Sequence, residues 1–567
     1  MCFLNARSKT RLALWLMTAS LLSGGPAFAR THKNGPPSSA PKPESAAARL
    51  NAIISSGYLA DLRWPRFSNY RSLVTNFYRP AAYEKAWVRN GQPTQQALAL
   101  VRILQDADRE GLRAEDYDAS RWAGRLEALR GPHDDAEEAR FDAALTISVM
   151  RYLSDLHMGR INPQHLGFEF DASQTKLDLS GFVRERLVEG SDLGAQVEGV
   201  RPPFPGYQRL RDALQHYIEL EKRAGEKKVD DPGRLYPGSR YTDVAGLAGR
   251  LRLLGDLSEN VTIAPDEKMY QGPLVDAVKH FQQRHGLRAT GELDSATVAE
   301  MNIPLRDRVE QMRLALERFR WLPYEFKQPP IVVNIPEFRL YAFKDGNELA
   351  FTMNVNVGDQ YDFQTPMFEN YIRYIVFRPY WYPPAGILRN EILPPLKEDP
   401  SLENNDLELV SASGQVIKTG NVTPAMFQQI RSGTLTVRQP PGPDNAMGLV
   451  KFIFPNEYHV YIHDTPVSIH MFSDTERMFS HGCIHVQEPA KLAAWLLRNT
   501  QGWDLERVQN AMHKGKDNVR VNLASPIPVL IVYDTAVVEE NGEIYFFQDI
   551  YGHDAELKEE LAKPYAG

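Results

Sequence analysis

Cysteine is nearly absent from this chain: two residues among 567, Cys2 and Cys483. Cys2 sits in a short basic segment (Arg7, Lys9, Arg11) ahead of an apolar stretch, Leu12 to Leu22, too short to span a bilayer comfortably. Ala27-Phe28-Ala29 then fits a small-x-small cleavage site, with Arg30 as the first mature residue, so residues 1–29 read as a secretory signal. The other reading, an uncleaved anchor, is opposed by Gly24, Gly25 and Pro26, which break the helix where a span needs to continue. Removing the signal leaves Cys483 as the sole thiol of an exported protein. That excludes an internal disulfide framework and leaves a buried structural residue or a reactive one. Long apolar runs are missing as well. No later stretch approaches roughly 18 uninterrupted apolar residues, so the mature protein is expected to be exported, otherwise soluble, and in touch with the membrane only through the signal segment. A strong charge excess is also lacking: 65 Lys and Arg against 72 Asp and Glu give a net charge of −7, which argues against a nucleic-acid binder held by a positive field.

What is present is enough apolar residue, 43%, for real cores, and a length that suggests three or four domains at roughly 150 residues each. Residues 30–48, rich in Pro, Ser, Ala and Lys, read as a disordered tether. From 49 to 223 the period is helical: Leu98, Val101, Leu104 and Ala107 mark one helix, and Phe141 to Met158 is apolar on most sides, as a buried helix is. No catalytic pattern appears there, so this region reads as a helical scaffold. A charged linker over 224–240 leads to a compact unit, 241–304. Val244, Leu247, Leu251 and Leu254 mark its first helix, and Leu274, Val278 and Phe281 its second. Asp294 is placed to N-cap a third, with Leu293 and Val298 as a hydrophobic staple and Gly286 and Gly291 supplying turns.

After residue 328 the period changes to two, and the expected fold is mainly β over 328–510. Strands are predicted over Ile331 to Ile335, Phe338 to Phe343, Phe351 to Val357, Tyr371 to Phe377, Val450 to Phe454 and Glu457 to His463, with Asp345-Gly346 as a hairpin turn. Pro489 to Arg498 is the clearest helix, and strands at Pro526 to Tyr533 and Glu543 to Phe547 place 511–567 as a segment completing or flanking this domain. Residues 384–436 interrupt the strands with a mixed pattern, read as an inserted lid or substrate-binding subdomain rather than a passive excursion. The whole is a multidomain α+β chain.

Chemistry concentrates around Ser480-His481-Gly482-Cys483-Ile484-His485. Gly482 permits close approach of backbone to a substrate. His463, 20 residues upstream, is the candidate base: a thiol attacks a carbonyl as the thiolate, and an imidazole both removes its proton and stabilises the anion. On a strand His459, Tyr461 and His463 share one face and Asp464 faces the other way, so a backbone carbonyl is the expected orienter of His463 rather than the Asp464 carboxylate. Zinc is disfavoured. His459 and His463 stand about 13 Å apart on a strand at roughly 3.3 Å per residue, and His481, Cys483 and His485 have no second Cys or acidic ligand at metal spacing. His470 reads as an ordinary loop residue.

These residues resemble the Ser/Thr-His-Gly-Cys signature of L,D-transpeptidases with a YkuD-type catalytic domain, and the chain resembles the large YcbB-type periplasmic members. Val333-Asn334-Ile335-Pro336, Thr365-Pro366, Arg378-Pro379-Tyr380-Trp381, Arg438 to Pro443, Asn445-Ala446, Lys451-Phe452 and Tyr461 to Pro466 carry the likeness. Residues 241–304 resemble the small three-helix peptidoglycan-binding domain, through Leu253-Leu254-Gly255, Ala277 to Gln283, His285-Gly286-Leu287, Gly291 and Asp294 to Thr297. The resemblance implies a periplasmic, cell-wall-associated enzyme of wall biogenesis and cell shape, acting on peptidoglycan stem peptides and glycan. Cys483 is then the nucleophile, His463 the base, and backbone N–H groups near Gly482 and Cys483 the oxyanion hole. Tyr461, Trp381, Ser480, His481 and His485 are the candidate substrate contacts, no metal or organic cofactor is required, and carbapenem β-lactams are expected covalent inhibitors. The alternatives are an L,D-carboxypeptidase or other wall-acting cysteine hydrolase, and a non-catalytic wall-binding scaffold. One position departs from the family pattern, which usually has Arg or Asn two residues after the cysteine: here it is His485.

Overall fold

A computed structural model describes residues 45–565, apart from 171–176, 224, 226, 362 and 467–468. The predicted signal and nearly all of the predicted tether lie outside the described residues. The last three residues assigned to the tether, 46–48, belong instead to a helix, Ala46–Ser56, with Ser45 as its N-cap, the Ser45 hydroxyl accepting from the Ala48 N–H at 3.4 Å.

Four hydrophobic cores organise the chain. The first lies within residues 50–200 and is built around Asp135–Met158, a helix buried on most sides, as its apolar sequence requires. Asp134 caps it, its carboxylate accepting from the Ala136 and Glu137 N–H groups. Helix Pro205–Arg223, grouped by sequence with the scaffold, buries Tyr207, Leu210, Leu214 and Tyr217 in a different core, alongside helix Leu305–Phe319. That core also contains the unit at 241–304. Its three helices are Val244–Leu253, Pro273–Arg284 and Ser295–Met301, the last capped by Asp294 (2.8 Å from the Thr297 N–H to Oδ1), with Leu293 and Val298 buried. Gly286 and Gly291 both adopt positive φ at the turns.

The third core fills a barrel-like sheet. Its strands are β1 (Ile331–Asn334), β2 (Arg339–Phe343), β3 (Leu349–Gly358), β4 (Phe368–Phe377), β5 (Val450–Ile453), β6 (Ile462–His463), β7 (Met478–Ser480), β8 (Ile484–Val486) and β9 (Val519–Val532). They are ordered β7-β3-β8-β6-β5-β4-β9-β1-β2, and β2 pairs back onto β3, so the sheet closes on itself and leaves few free edges. The turn Asp345-Gly346 joins β2 to β3, with Gly346 at φ 77. The longest strand, β9, lies beyond residue 510 and is paired on both sides, with β4 and β1. Residues between β4 and β5 form the fourth core, a small body of their own (Leu396, Leu409, Ile430 and Val437 among its buried residues), closed at its root by reciprocal backbone bonds between Trp381 and Gln439.

The predicted strand Glu457 to His463 is much shorter than expected: only Ile462 and His463 pair. His459 is at φ 56, and Asn456 bonds both the N–H and the carbonyl of Val460 through its side chain, so local side-chain bonds take the place of ladder bonds. His459 therefore does not share a strand face with His463.

Candidate active site

Strand β6 runs parallel to β8, with Ile462 opposite Ile484 and His463 opposite His485, and the Ile484 N–H donates to the Tyr461 carbonyl at 2.9 Å. On the flanks Lys451 of β5 stands opposite His463, and Asn356 of β3 opposite His485. Residues directly opposed across strands share a face, so Asn356, His485, His463 and Lys451 form one row across four strands. The alternate residues Ile462, Ile484 and Phe452 point into the barrel core. Cys483 is two residues before His485, which returns it to the polar face. Its electrostatic neighbours agree: burial raises the thiol's ionisation above its ordinary value, while the Tyr461 backbone and the Lys451 ammonium pull it down. Lys451 in turn lies 3.9 Å from the centre of the Tyr461 ring, and burial lowers its own ionisation.

His463 is 2% exposed. Its Nδ1 donates to the backbone carbonyl of Asp464 at 2.5 Å; a carbonyl only accepts, so Nδ1 carries the proton and Nε2 is left as the basic nitrogen. The Asp464 carboxylate is occupied elsewhere, by the Leu449 and Thr465 N–H groups. Burial first, then His485 and Lys451, hold the His463 ionisation well below the ordinary histidine value. The His463 and His485 rings lie 4.7 Å apart. His485 is pushed down to about 4 by burial and by His481, and its Nδ1 is buried without a hydrogen-bond partner, as are both side-chain polar atoms of Asn356.

The loop that carries the thiol is held from several elements. Gly482 has φ 96, a conformation that favours glycine, and a Cβ on Gly358 would lie 1.9 Å from the Phe363 carbonyl and 2.9 Å from the Gly482 Cα. Thr365 donates its hydroxyl to the Gly482 carbonyl and accepts from the Gly358 N–H, both at 2.9 Å. Tyr551, far along the chain, donates its hydroxyl to the Gly358 carbonyl at 2.6 Å and accepts from the Thr365 N–H. Ser480 is buried; its hydroxyl donates to the Cys483 carbonyl and accepts the Gly482 N–H at 3.1 Å. That hydroxyl therefore faces the loop, and the Gly482 N–H is already engaged.

The other sequence candidates are spread around this centre. His481 is exposed, pairs with Glu391 of the insertion at 2.8 Å and packs against Phe363, so it joins the thiol loop to the inserted body. Trp381 is buried at the root of that body. His470 lies in the short helical turn Ile469–Ser473. Lys451 and Tyr551 are not sequence candidates. Lys451 falls in one of the stretches that carry the family likeness, but its relation to the thiol depends on strand register, and nothing local marks Tyr551. Among the described residues no three of His, Cys, Asp and Glu are grouped to hold a metal ion, and no helix is long and apolar enough to cross a membrane.

Three family models match the chain: "Scaffold domain" over residues 72–214, "Putative peptidoglycan binding domain" over 240–301, and "L,D-transpeptidase catalytic domain" (YkuD) over 329–519. A curated protein of Haemophilus influenzae (strain ATCC 51907 / DSM 11121 / KW20 / Rd), described as "Putative L,D-transpeptidase", is 30% identical over 263 residues, which is 45% of this chain and 51% of the relative. The chain thus matches about half the length of that relative. Among solved structures, the L,D-transpeptidase (residues 123–326) of Xylanimonas cellulosilytica DSM 15894 aligns at 15% identity and TM-score 0.16, over 54% of this chain and 100% of its own. The L,D-transpeptidase (Yku) of Stackebrandtia nassauensis aligns at 14% and TM-score 0.19, over 53% and 95%. With the matched family models and the barrel-like sheet together, residues 329–519 are an L,D-transpeptidase catalytic domain of the YkuD family, joined in one polypeptide to a scaffold domain and a peptidoglycan-binding domain.

Proposed function

We propose that this protein is an exported, cell-wall-associated L,D-transpeptidase that joins peptidoglycan stem peptides through a thioester on Cys483. The observation that carries the reading is the register of β6 on β8, which puts a neutral imidazole, His463, in the same polar row as the thiol segment. His463 Nε2 takes the thiol proton. The thiolate attacks the diaminopimelate carbonyl of a tetrapeptide stem, forming a C–S bond as the C–N bond to the terminal D-Ala breaks, and the proton passes to the leaving amine. An amine of a second stem then attacks the thioester, forming the new amide and restoring the thiol. Lys451 favours the thiolate. Because the Gly482 N–H is engaged by Ser480, the Cys483 N–H is the better donor to the oxyanion. Ser480 serves as a staple of this loop, and Tyr461, His481 and His485 face the substrate side. The peptidoglycan-binding domain holds the glycan, and carbapenems acylate the same thiol.

Purified protein given disaccharide tetrapeptides is expected to release D-Ala and form dimers, with both lost in Cys483→Ala. Unchanged products from that variant overturn the assignment. Release of D-Ala with no dimer selects water as acceptor and makes the enzyme an L,D-carboxypeptidase. Mass spectrometry of the dimers identifies the acceptor amine.

A further inference from the structure

A chamber lies across the barrel from Cys483. In the closed strand order the thiol site occupies β8, β6 and β5, whereas this chamber is walled by β9, β1, β2 and the first half of β3, and roofed by the helix pair Pro205–Arg223 and Leu305–Phe319. Its volume is about 580 Å³, within the range of sites that enclose a small organic molecule. The walls are mostly apolar: Phe204, Phe319, Phe326, Val332, Phe343 and Leu349 line it. Leu530, Val332, Tyr341 and Thr352 stand opposite one another across its floor, with Val532, Asn334 and Arg339 in the next row on the same face.

Two polar groups in this wall lack a partner, the Thr352 hydroxyl and the Asp534 carboxyl, and of these only Asp534 can carry charge. Asp534 is 6% exposed and lines the chamber, and its Oδ1 is buried without a hydrogen bond. It does not swing freely. Its N–H donates to Asn334 Oδ1 at 2.8 Å, and Asn334 Nδ2 donates to its carbonyl at 3.0 Å. Arg318, the cation that attracts it, donates to Asp554 at 2.5 Å. A buried carboxyl without a donor is costly and calls for an explanation. The surrounding charge has one sign in excess: four carboxyl residues (Glu337, Asp534, Glu539, Glu540) line the chamber against two guanidinium groups. Both guanidinium groups are engaged, Arg339 with Glu337 and Glu539, and Arg209 with the Val538 carbonyl.

We propose that this chamber binds a small amphipathic cation, its alkyl or aryl body among the aromatic and aliphatic walls and its primary ammonium donating to Asp534. The site is separate from the thiol and does not depend on which acceptor Cys483 uses. Calorimetric titration of the full chain with n-octylammonium, n-octanol and n-octanoate tests it. Saturable one-to-one binding of n-octylammonium is expected, at least tenfold weaker for the alcohol and weaker still for the carboxylate. Asp534→Asn is expected to weaken n-octylammonium at least tenfold, and Leu349→Trp, which fills the chamber, to abolish binding while thermal unfolding stays cooperative. No saturable binding, equal affinity for n-octanoate, or undiminished affinity in either variant overturns the proposal. The comparison of the three head groups on the native chain decides the matter even where a variant fails to fold.

Discussion

The thiol of Cys483 is subject to opposed influences: burial raises its ionisation, and the Tyr461 backbone and the Lys451 ammonium lower it. Lys451→Met removes one of the lowering influences. The midpoint of Cys483 alkylation by iodoacetamide against pH is then expected to rise, and the rate at pH 7 to fall about tenfold for every pH unit by which that midpoint moves. His463 is held neutral by burial and by His485. A base whose ionisation lies below the ordinary histidine value stays competent as pH falls through that value, so the acid limb of kcat/KM belongs below about 6.5. His485→Asn removes the second cause while leaving burial, the larger one, in place. The limb is expected to move part of the way back toward 6.5, which a pH–rate series reads directly. Both roles rest on a side chain opposite or beside another across strands. The thiol and its upstream histidine are readable from residue type and motif, but the cation beside the thiol is not.

At the scale of elements, the loop from Ser480 to Cys483 has its conformation set by contacts from β3, from Thr365 and from Tyr551. Tyr551→Phe deletes the donor to the Gly358 carbonyl. A loss of about 1 kcal/mol in chemical unfolding is expected, together with slower acylation of Cys483 by a carbapenem. The inserted body meets the same loop through His481 and Glu391, a pair whose side chains are both more than 40% exposed. Glu391→Ala is therefore expected to leave the melting temperature nearly unchanged, since exposed pairs contribute little. Its effect should appear as a raised KM for stem peptide. The alternation of β3 is legible because Met353, Val355 and Val357 are buried in succession on one face, whereas β4 switches parity at the bulge between Ile372 and Tyr374, burying Phe368 and Ile372 before it and Ile375 and Phe377 after it. The segment before His463 mimics a seven-residue strand for a related reason: aromatic and β-branched residues satisfy the period, while the Asn456 side chain, bonding Val460, decides the backbone.

Across the whole molecule, the residues that follow β9 tie the domains together. After β9 the chain makes the hairpin Ala536–Val538 with Ile544–Phe546, whose Phe546 lies 5.6 Å from the His285 ring in the core of the peptidoglycan-binding unit. His285 stacks on Phe281 at 3.8 Å and is held well below the ordinary histidine value by burial, Arg308 and Arg284. Its folded ionisation lies below that of the unfolded chain, so in the window below about 6.5 the unfolded state binds more protons and stability falls with pH. His285→Gln should therefore lose less melting temperature than the parent between pH 7 and pH 5, as calorimetry of the two proteins would show. Sequence groups helix Pro205–Arg223 with the scaffold because both are helical and adjacent in the chain. Its apolar stripe faces a partner about a hundred residues later, Leu305–Phe319, and periodicity marks a face without naming its partner.

The sequence by itself determined the Ser480-to-Cys483 motif, the histidine upstream of it, the change of period near residue 328 and the helices of the small unit with the Asp294 cap of the third, because these depend on residue type and short spacing. Only the tertiary structure decided that Lys451 and His485 flank His463, that Tyr551 props the thiol loop and that Asp534 lines an apolar-walled chamber. Those relations are set by strand register and barrel closure, which bring together groups up to nearly two hundred residues apart. The polar row around Cys483 is one product of that closure, and the carboxyl across the barrel from it is another.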